Sequence, residues 1–197
     1  MRERLVRSGQ VNYQIERSND AWPDHRLRTL VTAAAIAWLQ PRTILDPACG
    51  DGSIVYEASR LWTAEDLGLS DISQPNIDHL TTLGPPSPGQ SMWAARLDVN
   101  KAIARTNPTW DVIVLTEILE HLDDPDTTLA LARKAGKRLV ASSPEMRPGQ
   151  VDPNPEHLWM FDRAGYQGML VRAGWKAEQY TKLVFPSLYD FGIWVCS

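Results

Sequence analysis

Residues 43–52, Thr-Ile-Leu-Asp-Pro-Ala-Cys-Gly-Asp-Gly, constrain the chain more than any other stretch. A short apolar run ends in a carboxylate and passes into a turn with two glycines. Ser53 to Leu61 then reads as a helix. Glycines at such a turn let a ligand approach the backbone closely, and the helix behind them presents unpaired N–H groups. The unit is therefore a strand–turn–helix built to face a ligand.

The same alternation continues. Strands are expected at 64–69, 92–97, 111–115 and 137–141, with helices at 75–83, at 125–135 behind an Asp124 cap, and at about 162–173. Asp111-Val-Ile-Val-Leu115 carries four consecutive aliphatic residues, the mark of a strand covered on both faces. Two strands, 176–184 and 191–196, close the chain without a helix between them and predict a hairpin with one antiparallel strand. Upstream, Leu27, Leu30, Val31, Ala34, Ala35 and Trp38 recur at helical spacing between Pro23 and Pro41, predicting an apolar helix face. The expectation is an α/β, Rossmann-like three-layer α/β/α sandwich in a single domain. Residues 1–20 would be an arm, 21–40 an N-terminal helix and 43–197 the catalytic core.

Three carboxylates end the first three core strands: Asp46, Asp71 and Asp98. Together they suit a ligand with a cationic amino-acid end, a ribose and an amino-purine, and they suit a pyrophosphate poorly. The alternative is that the aspartates only cap helices. The whole of Ile44-Leu45-Asp46-Pro47-Ala48-Cys49-Gly50-Asp51-Gly52-Ser53 resembles the first signature of class I S-adenosylmethionine-dependent methyltransferases. That resemblance implies a seven-stranded, mostly parallel sheet of order 3-2-1-4-5-7-6. It also implies S-adenosylmethionine as cofactor, held by Asp46, Ala48, Gly50, Gly52, Asp71, Ile72, Asp98, Val99 and Thr116. Asp71 would take the ribose and Asp98 the adenine. The Asp-Pro-Ala-Cys-Gly form also occurs in DNA adenine methyltransferases. Those enzymes need a polar residue, two prolines and an aromatic after the fourth strand, and Thr116-Glu117-Ile118-Leu119-Glu120-His121 stands there instead, which disfavours methylation of a base amino group.

That Glu-x-x-Glu-His stretch is the second candidate site. If it turns helically, Glu117, Glu120 and His121 share a face, and His157, beyond the fifth strand, reaches the same edge. The pattern resembles the ubiquinone-synthesis O-methyltransferases and the enzymes that methylate a terminal 2′-hydroxyl of small RNAs. Both resemblances imply a divalent cation (magnesium, manganese or zinc) on Glu117, Glu120, His121 and His157, which would lower the acceptor pKa. Without a metal, Glu120 or His121 would be the catalytic base, or the residues would only shape the pocket.

The favoured activity is methyl transfer to an oxygen of a small molecule. The alternatives are a 2′-O-methyltransferase of nucleic acid and a non-catalytic S-adenosylmethionine-binding module. A formal net charge of −4 argues mildly against a nucleic-acid partner. No apolar run is long enough for a membrane span or signal peptide, and the two distant cysteines, Cys49 and Cys196, fit a reducing cytoplasm. Most tryptophans read as core. Trp159 is the exception, a candidate to stack on the acceptor.

Overall fold

The computed structural model describes residues 2–4, 23–105, 109–186 and 190–197. In chain order the elements are β1 (Arg2–Arg4), α1 (Pro23–Trp38), β2 (Thr43–Asp46), α2 (Ser53–Leu61), β3 (Asp66–Asp71), α3 (Gln74–Leu83), β4 (Ser91–Arg96), α4 (Val99–Ala104) and β5 (Trp110–Thr116). A single 3-10 turn (Leu119–His121) follows, then α5 (Pro125–Ala135), β6 (Gly136–Glu145), β7 (Trp159–Phe161), α6 (Arg163–Arg172), β8 (Ala177–Leu183) and β9 (Asp190–Cys196).

The main sheet runs β4-β3-β2-β5-β6-β9-β8, with β9 antiparallel to both of its neighbours. In order of appearance among the core strands this is 3-2-1-4-5-7-6, as the resemblance implied. Two short strands were not legible in the sequence: β1 pairs antiparallel with β7, which in turn pairs parallel with the end of β6 at Glu145 and Phe161.

The aliphatic run in β5 shows why the layers exist. Its alternate residues Val112 and Val114 enter a core with Ala33, Ile36, Val55 and Leu80 from α1, α2 and α3. Ile113 and Leu115 enter a second core with Ile103, Leu129, Met169 and Leu170 from α4, α5 and α6. A strand flanked on both faces has no polar side, hence the unbroken apolar sequence. Each of these four side chains is at most 1% exposed, and each contributes about 1.5–3 kcal/mol of burial.

Helix α1 departs from the expected face. The ridge of Leu27, Leu30, Ala34 and Trp38 is exposed, Trp38 by 62%, and the buried face carries Arg28, Thr29, Thr32, Ala33 and Ile36. Small side chains let α1 lie close against α2 while placing Arg28 beneath the sheet's C-terminal edge. Trp38 is therefore not a core residue, and Trp22 lies outside the described residues.

The glycine turn is where local conformation and packing meet. Gly50 and Gly52 have φ of +55° and +79°, the left-handed region that side chains resist. A Cβ on Gly52 would lie 2.5 Å from Leu80 Cδ2 and 3.3 Å from the Tyr56 ring, whereas one on Gly50 would meet nothing within 4 Å. The expected outcome is that Gly50→Ala costs about 1 kcal/mol for conformation alone, and that Gly52→Ala costs about 1–3 kcal/mol more for the clash. Urea denaturation of the two variants measures the difference.

Candidate functional site

The sheet order reverses between β2 and β5, and the crevice at their C-terminal tips is the place where open α/β sheets bind ligands. A cavity of about 330 Å³ occupies it. Of the nine residues expected at the cofactor, Ala48, Gly50, Asp71, Ile72, Asp98, Val99 and Thr116 line this cavity, as do Glu117 and His121. Asp46 and Gly52 stand behind the wall.

Asp71 organises the entrance. Its Oδ2 accepts from the Gly50 N–H at 2.9 Å and its Oδ1 from the Ser73 N–H at 2.8 Å, so one carboxylate joins the glycine turn to the start of α3. The Cys49 N–H donates to the Ser70 carbonyl at 2.9 Å, a second tie between turn and β3. Asp98 is exposed and caps α4, its Oδ1 accepting from Asn100 N at 2.9 Å and Lys101 N at 3.4 Å. The capping alternative thus describes part of what Asp71 and Asp98 do, and both still border the cavity.

Asp46 is 1% exposed and orders the turn rather than lining the cavity. Burial pushes its carboxyl up to about 7, the neighbouring Asp71 and Asp51 charges push the same way, and the Ala48 N–H at 3.4 Å pulls it back.

The Glu-x-x-Glu-His stretch does not form one helical face. Glu117 has φ of +52°, rare for a residue with a side chain, and its reversal splits the motif. Glu117 turns to α1 and β6: its Oε2 lies 2.9 Å from Arg28 Nη1, and its Oε1 accepts from Ser142 Oγ at 2.8 Å. Glu120 and His121, in the 3-10 turn beyond, meet His157, and potential ligand atoms of these three lie within 4.8 Å of one another. Glu117 is not part of that cluster, which corrects the four-ligand expectation.

The loop before β7 fixes the two imidazoles. His121 Nδ1 lies 3.1 Å from the Glu156 carbonyl and His157 Nδ1 lies 2.6 Å from Asp152 Oδ2. Each Nδ1 faces an acceptor and so carries the proton, leaving the lone pair on Nε2. Asn154 accepts from Glu156 N through Oδ1, which directs its amide nitrogen to His157 Nε2 at 2.9 Å. The rings meet edge to face with centroids 4.7 Å apart. Glu120 is 1% exposed, and neither carboxylate oxygen has a hydrogen-bond partner.

Two residues were missed or misread. Arg28 lines the cavity from α1 at 6% exposure, and sequence offered only a basic residue in a helix. Burial lowers its pKa to about 10, with Glu120, Asp24 and Asp51 opposing that shift. Trp159 is not a stacking platform for the acceptor: its indole N–H donates to the Leu122 carbonyl at 2.7 Å, and the Arg2 guanidinium lies 4.2 Å over its ring.

The family is decided by a match that runs from residue 19 to residue 180 and is described as a methyltransferase domain. This chain belongs to the methyltransferase-domain family. Solved structures agree in fold. Magnesium protoporphyrin IX methyltransferase (ChlM) from Synechocystis PCC 6803 with bound SAH superposes with a TM-score of 0.70 at 15% identity, covering 96% of this chain and 89% of that one. Mycolic acid cyclopropane synthase CmaA1, complexed with SAH and CTAB, does so at 0.66 and 13% identity, covering 87% and 84%. TehB from Haemophilus influenzae gives 0.65 at 15% identity, covering 84% and 60%. No curated protein matches the chain. Among the described residues no helix is long and apolar enough to cross a membrane.

In this methyltransferase the buried Asp46 carries a pH signature. Its raised pKa means that the folded chain holds a proton, between about pH 4 and pH 7, that the unfolded chain has released. Stability from this group therefore falls as pH rises through that window and levels off above it. Relative to wild type, Asp46→Asn should gain up to about 4 kcal/mol between pH 4 and pH 8. Urea denaturation of both ligand-free proteins at the two pH values checks this. A constant difference would mean that the group ionises normally.

Proposed function

We propose that the chain transfers a methyl group from S-adenosylmethionine to an oxygen of a small molecule, assisted by a divalent cation on Glu120, His121 and His157. The single observation that carries the oxygen acceptor and the cation is the buried Glu120 carboxylate, unpartnered at both oxygens beside two imidazoles. A buried carboxylate with no hydrogen-bond partner is costly (about 1–3 kcal/mol, more when charged), and a cation would offset that cost. The pattern around the imidazoles is that of metal ligands, whose second ring nitrogen donates to a carboxylate or a backbone carbonyl. Asp152 and the Glu156 carbonyl take those places. One carboxylate and two imidazoles favour manganese or zinc over magnesium.

The donor is read from the cavity. Asp51, Asp71, Asp98 and Glu117 line it, a balance that favours a cationic sulfonium and repels a polyphosphate or nucleic-acid backbone. The family match and the SAH- and SAM-bound fold neighbours support the same donor. Asp71 and Asp98 face the ribose and adenine, and Thr116 and Glu117 border the opposite, amino-acid end.

His121 belongs both to the cavity wall and to the Glu120–His157 cluster, so it marks where donor and acceptor meet. Glu120, His121 and His157 would hold the cation, which would supply Lewis-acid polarisation of the acceptor hydroxyl and so lower its pKa. Asp152 and Glu156 fix the two imidazoles through Nδ1, the Asn154 amide holds the His157 Nε2 lone pair that a cation would take over, and the clamp of Leu158 N–H on the Glu120 carbonyl at 2.7 Å holds the loop over the cluster. The chain's main contribution to rate is alignment of the reacting oxygen with the methyl carbon.

Glu120 lies outside the cavity wall, so cation and donor can be tested separately. Chelator-treated wild type should bind manganese with about one-to-one stoichiometry in calorimetry. Glu120→Gln should lose at least about tenfold in that affinity, a charge-assisted contact being roughly twice as strong as a neutral one. Its S-adenosylhomocysteine affinity should stay within about twofold. Equal manganese binding by both proteins would overturn the cation assignment.

A further inference from the structure

A second cavity, of about 550 Å³, lies at the opposite edge of the sheet from the crevice. Its wall includes Thr43, Asp66, Ser91 and Trp110, the first residues of β2, β3, β4 and β5. A mismatch of lengths creates it. Helix α4 has six residues and spans about 9 Å, while the six-residue strand β4 that precedes it runs about 20 Å. The helix starts at the crevice with its Asp98 cap and runs out at Arg105 before the face of β3 and β4 is covered. Two tryptophans occupy part of what is left. A Cβ on Gly68 would come within 2.8 Å of both the Trp93 and the Trp110 ring, so a glycine in β3 lets two indoles meet above the sheet.

The indoles give the cavity flat, apolar surfaces. Trp110 is 9% exposed, and its N–H has no hydrogen-bond partner. A buried indole N–H usually finds an acceptor, and leaving the bond unmade is costly. Arg105, on the same wall, is exposed, and no ion pair joins it to another described residue. Its planar fork matches a carboxylate. The one acid on the wall, Asp66, is exposed, so water and salt screen its charge. We propose that this cavity is a second ligand site, for a planar aromatic carboxylate whose ring lies against Trp93 and Trp110 and whose oxygens accept from the Trp110 N–H and from Arg105. Apolar and aromatic walls with a few polar groups, enclosing several hundred Å³, are the usual form of a small-molecule site. The site shares no wall residue with the crevice among the described residues, so it does not depend on the donor reading given above.

The probe is 2-naphthoate, and 2-naphthylmethylamine presents the same rings with the opposite charge. Calorimetry on the full chain should find about one 2-naphthoate per chain, bound at least about tenfold more tightly than the amine. Trp110→Phe keeps an aromatic wall but removes the N–H, and should weaken 2-naphthoate by about tenfold. Arg105→Gln, at an exposed position, should weaken it by about threefold, with the amine unchanged or tighter. No binding of 2-naphthoate by wild type overturns the site. Equal affinity for the two probes, or 2-naphthoate affinity unchanged in Trp110→Phe, overturns it as well. If Trp110→Phe does not melt cooperatively, Arg105→Gln decides: unchanged affinity for 2-naphthoate overturns the assignment.

Discussion

The Asp71 carboxylate spans the gap between two βα turns, and the ligand-binding edge depends on it. One oxygen holds Gly50 and the other holds Ser73. Two turns with little regular hydrogen bonding of their own are thereby locked in register with β3. The glycines can then keep left-handed angles without collapsing into the crevice, and the N-terminus of α2 stays directed at it. Partly buried, charge-assisted bonds of this kind are about twice as strong as neutral ones, which suits a hinge between strand, turn and helix.

Opposing charges divide the edge into functional ends. Asp71 and Asp98 stand at the tips of β3 and β4 on the side proposed for the nucleoside, and Arg28 and Glu117 neutralise each other on the far side. Beyond them the loop before β7 is tied down by backbone and carboxylate bonds, so two imidazoles and Glu120 converge without being on one element. Glu117 connects the regions. Its strained φ ends β5 abruptly, sends its own side chain to Arg28 and leaves Glu120 and His121 to face the loop.

Much of this was legible because the signals are local. The unbroken aliphatic run 111–115 announced a strand covered on both sides, the glycine pair announced a turn, and Asp124 and Gly136 marked the ends of α5. The nearly parallel sheet and its terminal hairpin followed from the order of elements. The face of α1 was misread because apolar spacing on a helix says that a ridge exists, not that the ridge is inward. The choice fell to small residues that pack against α2 and to Arg28, which must reach the crevice. The pair β1 and β7 escaped notice because three residues carry no periodicity.

By itself the sequence determined the alternation of strands and helices, the ligand-facing turn and the acidic tips, since each follows from residues adjacent in the chain. It could not determine whether Glu117 would join Glu120, because that was decided by one backbone angle and by an arginine 89 positions earlier. Nor could it show that Asp152, Asn154 and the Glu156 carbonyl orient the imidazoles of that cluster. Contacts between side chains far apart in sequence exist only once the core has placed their elements, and at that point burial gives Arg28 and Glu120 the unmet polar demands that define the site.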